Sequence, residues 1–475
     1  NYSTLSSWLY DMKNMPLSID WLEFCPSGSE TEYKKSGVLK NFIFGAKRLI
    51  YSFSADYGKT AAAADGEQIR LWVNWGRDQT MVLDTLIRDD FTAETGISVK
   101  LEQVNASLIN GILAGNFPDV SLYMSRTDPV NLGIRGALAD LTEFDDCKEV
   151  FARFQDGAEL PYRYKGALYA LPDSQNFFIM FYRKDILENL GLSVPITCAE
   201  FLNTATVIQQ NNLEVYVPYT QIVAATTVNG GIGGLNLLPT LMLQNGLSFY
   251  NKEQTATDMT NPAALAVFKD WTDFYLDYQF VKEADFYNRF RSGEIPIGIE
   301  AYTMYNKLAV AAPEISGMWT MLPVPGTVRD DGSVDRSTAV SCTAAVIMNN
   351  CKSKQAAWKF VKWFASAKSQ AEYGRNMEAL IGESARYNSA NLAAVPGLPW
   401  TVRESSVILK QLNEAKGIPQ SIASYYVTRN IYNAYRKVTV NNSNPREVLY
   451  KYNTEINNEL ERKREEFGLK GENGK

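Results

Sequence analysis

The segment Ile69-Arg70-Leu71-Trp72-Val73, running into Asn74-Trp75-Gly76-Arg77-Asp78-Gln79, decides the fold. Its first five residues have the apolar and branched bias of a short buried strand, and the polar run after them reads as a loop. From Met81 to Glu94, Val82, Leu83, Leu86, Ile87 and Phe91 fall on one helical face. Ile97-Ser98-Val99-Lys100-Leu101 then reads as a second strand. A strand–helix–strand unit of this length predicts a parallel pair with a right-handed crossover. In open sheets of that kind, ligands sit beyond the carboxyl ends of the strands. Trp75, Arg77, Asp78 and Gln79 lie there, offering one stacking face, two charges and an amide. Together they suit a ligand that is polar with an apolar face; a helix-capping role for Asp78 is the plainer alternative.

Outward from this unit the alternation of strands and helices continues, which is the α/β signature. Phe117 to Tyr123 gives a third strand and Ala167 to Tyr182 two more, while Ile295 to Ile299 and Ala344 to Met348 read as further strands. Thr197-Cys198-Ala199-Glu200 is a capping box that opens a helix. Asn261-Pro262 places an N-cap before a proline at the first helical position, starting a helix through Tyr278. Lys354 to Ala365 is amphipathic, and Asn444 to Phe467 is a long helix bounded by Pro445 and Gly468. Arg329-Asp330-Asp331-Gly332-Ser333 carries hairpin chemistry.

The chain has 475 residues, more than one core usually serves, so two or three domains are expected. Hydrophobic content of 45% and charge of 21% are those of an ordinary globule, and a net charge of -6 gives no reason to expect nucleic acid or an anionic membrane as partner. The count of zero histidines removes the commonest general base and zinc ligand, and with them serine–histidine and cysteine–histidine triads. Cys25, Cys147, Cys198, Cys342 and Cys351 are scattered without a CxxC pair, as buried free thiols are. No metal site or cofactor is signalled. No apolar run reaches the roughly 18 residues that a membrane span needs.

Residues 1–65 read differently from the rest. Leu17, Ile19 and Trp21 alternate with Ser18 and Asp20 in a short strand, and Val38 to Phe53 is a basic amphipathic helix. Such a helix suits a membrane surface; packing on the main body as a connector is the favoured reading. Asn1 opens mid-pattern, as a segment of a longer chain does, and no signal peptide is read there.

The order of several phrases resembles the extracellular solute-binding proteins of ATP-driven importers, in the carbohydrate-binding branch of family 1. Gly115-Asn116-Phe117-Pro118-Asp119-Val120 is similar to the family's "G..PDV" strand, and Tyr164 to Pro172 to its "Y.GK.YALP" hairpin. Phe181-Tyr182-Arg183-Lys184-Asp185 resembles its "YNKD" helix entry, and Phe290 to Glu294 its "F..GKAAM" turn. Pro419-Gln420-Ser421 through Tyr425-Tyr426 looks like the late segment that returns to the cleft. The resemblance covers about residues 67–465. It implies an α/β, two-lobed, periplasmic-binding-protein-like fold of type II. Lobe one would be 66–174 plus 336–383 and lobe two 175–335 plus 384–475, with 1–65 a connector or the tail of an upstream module.

The resemblance also implies positions for the ligand contacts. Ser125 and Arg126 follow the third strand where the family places polar sugar-binding side chains; Arg126 as a surface charge is the alternative. Gln175 and Asn176 sit at the first crossing between lobes, where an amide can donate to and accept from a hydroxyl at once. Glu300 and Tyr302 end a strand of the second lobe, Tyr425 matches another stacking aromatic, and Tyr219 is a weaker candidate. The run Asn229-Gly230-Gly231-Ile232-Gly233-Gly234 lacks the GK[ST] ending of a phosphate loop and reads as a flexible rim over the cleft. Paired acids such as Glu294 with Glu300, or Glu143 with Asp145 and Asp146, keep a glycosidase reading open, while capping and solvation account for them without chemistry.

The expectation is therefore a monomeric, non-catalytic binding protein that captures an oligosaccharide or glycoside outside the cell, attached at the cell surface, and delivers it to a membrane permease. Ligand bridging both lobes shifts the hinge equilibrium towards closure, and a full shift needs about 5.5 kcal/mol of differential affinity. A carbohydrate-active enzyme and a sensor-docking binding protein are the alternatives.

Overall fold

The computed structural model describes residues 37, 40, 43–45, 47, 67–104, 108–218, 237–282 and 284–469. The expected strand at Leu17–Trp21, most of the helix at Val38–Phe53, Tyr219 and the glycine run at 229–234 lie outside these residues. The opening unit forms as read. Strand β1 (Gln68–Val73) pairs in parallel with β2 (Ser98–Gln103), and β3 (Val120–Ser125) pairs in parallel with the other edge of β1. The connecting helix starts at Arg77, earlier than its apolar stripe suggested, and passes into a π-helical turn at Ile87–Thr92. It stops at Gly96, whose φ of 70° is open to glycine at little cost.

The centre of the sheet is made by two long strands. β4 (Leu171–Arg183) is buried along all 13 of its residues. With β5 (Val215–Tyr216), β6 (Ile297–Ala301), β7 (Trp319–Leu322) and β8 (Thr338–Ile347), the sheet runs β2-β1-β3-β8-β4-β6-β5, and β7 also pairs with β4. The first half of β4 is antiparallel to β8, from Leu171 opposite Ala345 to Phe177 opposite Val340. Its second half, Phe178–Arg183, turns to β6 and β7. β8 joins β3 through Thr343–Ile347 and slips register near Ala344 against both neighbours, a bulge where the strand bends. Two hydrophobic cores follow from the pleat of β4. Phe177, Ile179 and Phe181 enter one, and Phe178, Met180 and Tyr182 the other.

Two helix starts obey the caps read from sequence: Thr197 and Glu200 form the reciprocal capping box, and Asn261 caps Pro262–Leu276. Asn444, expected inside the last helix, instead caps Pro445–Glu466. Thr327–Val328 and Val334–Asp335 make the expected hairpin. Cys147, Cys198, Cys342 and Cys351 are free. Among the described residues no helix is long and apolar enough to cross a membrane, and no group of histidine, cysteine or acidic residues could hold a metal ion.

Candidate functional site

β1 ends at Val73, and the chain leaves the sheet through Asn74–Gly76 before the helix Arg77–Leu86. Gln103 at the end of β2 donates from Nε2 to the Trp75 carbonyl at 2.6 Å, which fixes the loop. Gln79 Oε1 accepts the Gly76 N–H at 3.1 Å, and Asp78 sits in the first helical turn, where an acid suits the dipole. The Trp75 ring lies edge-on to Tyr123 at 4.7 Å and tilted against Tyr373 at 5.4 Å. This loop is one wall of a cavity of about 690 Å³, within the size range of small-molecule sites.

A second wall comes from the other half of the sheet. β6 leads through Tyr302 and Thr303 into the helix Met304–Ala311, which brings Asn306, Lys307 and Val310 to the cavity. Asn176 of β4 donates from Nδ2 to Thr303 Oγ1 at 3.0 Å and so holds the start of that helix. The third wall is the helix Ala367–Ile381 with the turn after it, which contributes Tyr373, Met377, Ser384, Arg386, Tyr387 and Asn388. Arg386 is clamped by both oxygens of Glu378, at 2.7 and 2.8 Å, and lies 4.5 Å from the Trp400 ring centre.

The floor is aromatic and strained. Tyr123 adopts φ 59°, an αL conformation that costs a bulky residue on the order of 1–3 kcal/mol. Its N–H donates to Asp173 Oδ2 at 2.7 Å, while Tyr387 OH donates to the Asp173 carbonyl at 2.7 Å. Thr343 of β8 bonds the other Asp173 oxygen at 2.6 Å. Burial pushes the Asp173 carboxyl up to about 7 against these bonds, and burial likewise raises the phenols of Tyr123, Tyr373 and Tyr387. Among the described residues, two buried polar atoms of the lining side chains have no partner: Trp75 Nε1 and Asn306 Oδ1.

Trp75, Arg77, Asp78 and Gln79 are thus brought together in one cavity. Asn176 and Tyr302 lie beneath it: Asn176 through Thr303, and Tyr302 stacked on Phe177 at 4.5 Å. The others are elsewhere. Gln175 is buried between Gln155 and the Ala390 carbonyl. Ser125 bonds Thr127 at 3.1 Å. Glu300 is buried in β6, where desolvation raises its pKa against hydrogen bonds from the Ala301 N–H and the Tyr216 hydroxyl. Tyr425 is 53% exposed, with its hydroxyl towards Glu459. Of the expected aromatic contacts, Trp75 and Tyr302 lie at or beneath this cavity and Tyr425 faces outward away from it. Arg126 lines a separate, smaller cavity. Sequence reading missed Asn306, Lys307, Tyr373 and Tyr387. Tyr373 and Met377 lie four apart on the buried face of one helix, a spacing that any core stripe shares.

A two-lobed solute-binding architecture with a cleft across two shared strands is the class these features define. The chain belongs to the bacterial extracellular solute-binding protein family, whose model matches residues 87–398. Membership implies a periplasmic or extracellular location. A binding protein of Brucella abortus (strain 2308) is 25% identical over 73% of this chain and 85% of its own length. Among solved structures, the sugar-binding protein MalE of Xanthomonas citri superposes with a TM-score of 0.69 at 16% identity, covering 85% of this chain and 100% of that one. The cyclic alpha-maltosyl-1,6-maltose binding protein of Arthrobacter globiformis gives 0.65 at 18% identity, covering 83% and 99%. These likenesses establish the two-lobed fold.

Proposed function

We propose that the chain is the substrate-binding component of an ATP-driven importer and that it holds a carbohydrate, an oligosaccharide or glycoside, in the cavity described above. Lobe one would comprise 66–174 with 336–383 and lobe two 175–335 with 384–475, hinged where β4 crosses at 174/175 and where the chain passes at 335/336 and 383/384. The partner would be a membrane permease, with the binding protein monomeric at the cell surface. The observation that carries this reading is the lining itself. Rings from Trp75, Tyr123, Tyr373 and Tyr387 are joined by planar polar groups of Gln79, Asn306, Arg386 and Asn388, drawn from elements on both sides of the shared strands. Sugars present C–H faces to rings and hydroxyls to amides and guanidinium groups.

A hydrolytic role has less support. Asp78 is the single carboxylate among the lining residues, whereas glycosidases use two acids flanking the bond. Glu294 is exposed and paired with Arg289, and Glu300 is enclosed in β6. The family and the neighbouring structures are binding proteins. Calorimetry against a panel of mono- to trisaccharides, with chromatography of the same samples and small-angle scattering, tests the proposal. One-site binding, unchanged sugar and a fall in radius of gyration are expected. Accumulating cleavage product, or no binding across the panel, overturns it.

A further inference from the structure

Three residues beyond Tyr123, the Arg126 side chain is 8% exposed. It lines a second cavity of about 60 Å³ with Leu238, Tyr250, Gln420, Ser424 and Thr428. Among the described residues, no carboxylate pairs with its guanidinium and no acceptor receives a hydrogen bond from it; its charged-state neighbours are the Cys342 thiol and the Tyr162 and Tyr250 phenols. Asp128, the nearest acid along the chain, bonds Thr127 at 3.4 Å, and burial raises its pKa rather than a cation lowering it. The segment 219–236, which leads into this cavity's Leu238, contains no aspartate or glutamate. A guanidinium enclosed without a counter-charge is among the most expensive arrangements a protein can hold. A binding protein can hold one if the ligand brings the missing anion.

We propose that the Arg126 cavity receives one carboxylate of the ligand, so that the transported solute is an acidic sugar. This rests on the cleft reading above and narrows it. The space, about 60 Å³, admits a carboxylate-sized group beside the guanidinium. Planar bidentate recognition is what arginine supplies. The hydroxyls of Tyr250 and Ser424, 3.1 Å apart, add donors beside it. At about 3.3 Å per extended residue, Tyr123 and Arg126 stand within about 10 Å along the chain, so one short oligosaccharide can touch both. The larger cavity agrees in sign, with Arg77 and Lys307 exposed in its lining against the one acid Asp78.

The test is calorimetry on the intact chain at constant ionic strength, using glucuronate against glucose, trigalacturonate against α-1,4-galactotriose, and acetate. Each acidic sugar is expected to bind wild type at least about tenfold tighter than its neutral counterpart. In Arg126→Met that preference disappears while the neutral affinity stays, and Arg126→Lys keeps part of it; circular dichroism confirms that both variants are folded. Equal affinity for acidic and neutral sugars in wild type, or a preference that survives Arg126→Met, overturns the assignment and leaves the cleft reading standing. Acetate binding as tightly as the acidic sugars assigns the cavity to free acids and overturns the acidic-sugar claim. Binding of no sugar at all removes the cleft reading and this inference with it.

Discussion

The two cavities share one strand end and differ in what their buried polar chemistry lacks. The larger one, reached by Tyr123, has a ring floor, amides, the charges of Arg77, Lys307 and Asp78 at its rim and, among the described residues, a buried donor and acceptor without partners. The smaller one, reached by Arg126, has a positive charge and, among the described residues, no anion. A neutral atom without a partner costs about 1–3 kcal/mol and is met by a hydroxyl; an enclosed cation costs more and needs an opposite charge. The difference teaches that one face of the ligand can be read by stacking and hydroxyl exchange, and another by charge.

The sharpest way to break the comparison is at the ring floor. Trp75 packs on Tyr123, Tyr373 and Phe364, so Trp75→Ala should cost about 3–5 kcal/mol of stability, read by urea denaturation, and abolish sugar binding. A cost below 1 kcal/mol would mean the ring is not part of the core.

Below that floor, Asp173 binds its proton more tightly when folded, near 7, than when unfolded, near 3.8. Between those values the folded state holds more protons, so stability is greatest at the acid end and falls as pH rises through about 7. The slope approaches about 1.4 kcal/mol per pH unit for one proton, and Asp173→Asn, which mimics the neutral acid, should flatten it in melts from pH 4 to 8. Parallel wild-type and mutant curves would remove Asp173 as the cause.

Smaller effects separate the cavities. Arg126→Met without any anion should leave stability unchanged or raise it by about 1–2 kcal/mol, because an unpaired charge leaves the interior. A large loss would point to a partner in the native chain. Asn306→Leu should weaken sugar binding by roughly tenfold at most, with no change in the acidic-over-neutral ratio; a changed ratio would merge the two cavities into one.

Much of this was legible in the chain because local rules carried it. The carboxyl-end rule located the Trp75–Gln79 loop from the strand–helix–strand pattern alone, and the caps at Thr197 and Asn261 with Pro445 set helix starts. What escaped was long-range or phase-dependent. In the helix Ser424–Asn441, Val427, Ile431 and Ala434 face inward, and this phase turns Tyr425 outward. β4 is buried on both faces, so a polar residue such as Gln175 gives no clue to which neighbour it meets. The left-handed Tyr123 and the unpaired Arg126 depend on contacts 50 or more residues away or on the absence of contact, and no short-range pattern encodes either.

Strand β4 belongs to both hydrophobic cores at once and pairs with β8 along its first half and with β6 and β7 along its second. Neither half of the sheet can melt without stripping a pairing edge from the other, so heat should dismantle the molecule in one cooperative step despite its size. The same continuity lets a ligand seated above Asp173 reach the mechanical linkage of both halves through a single run of backbone.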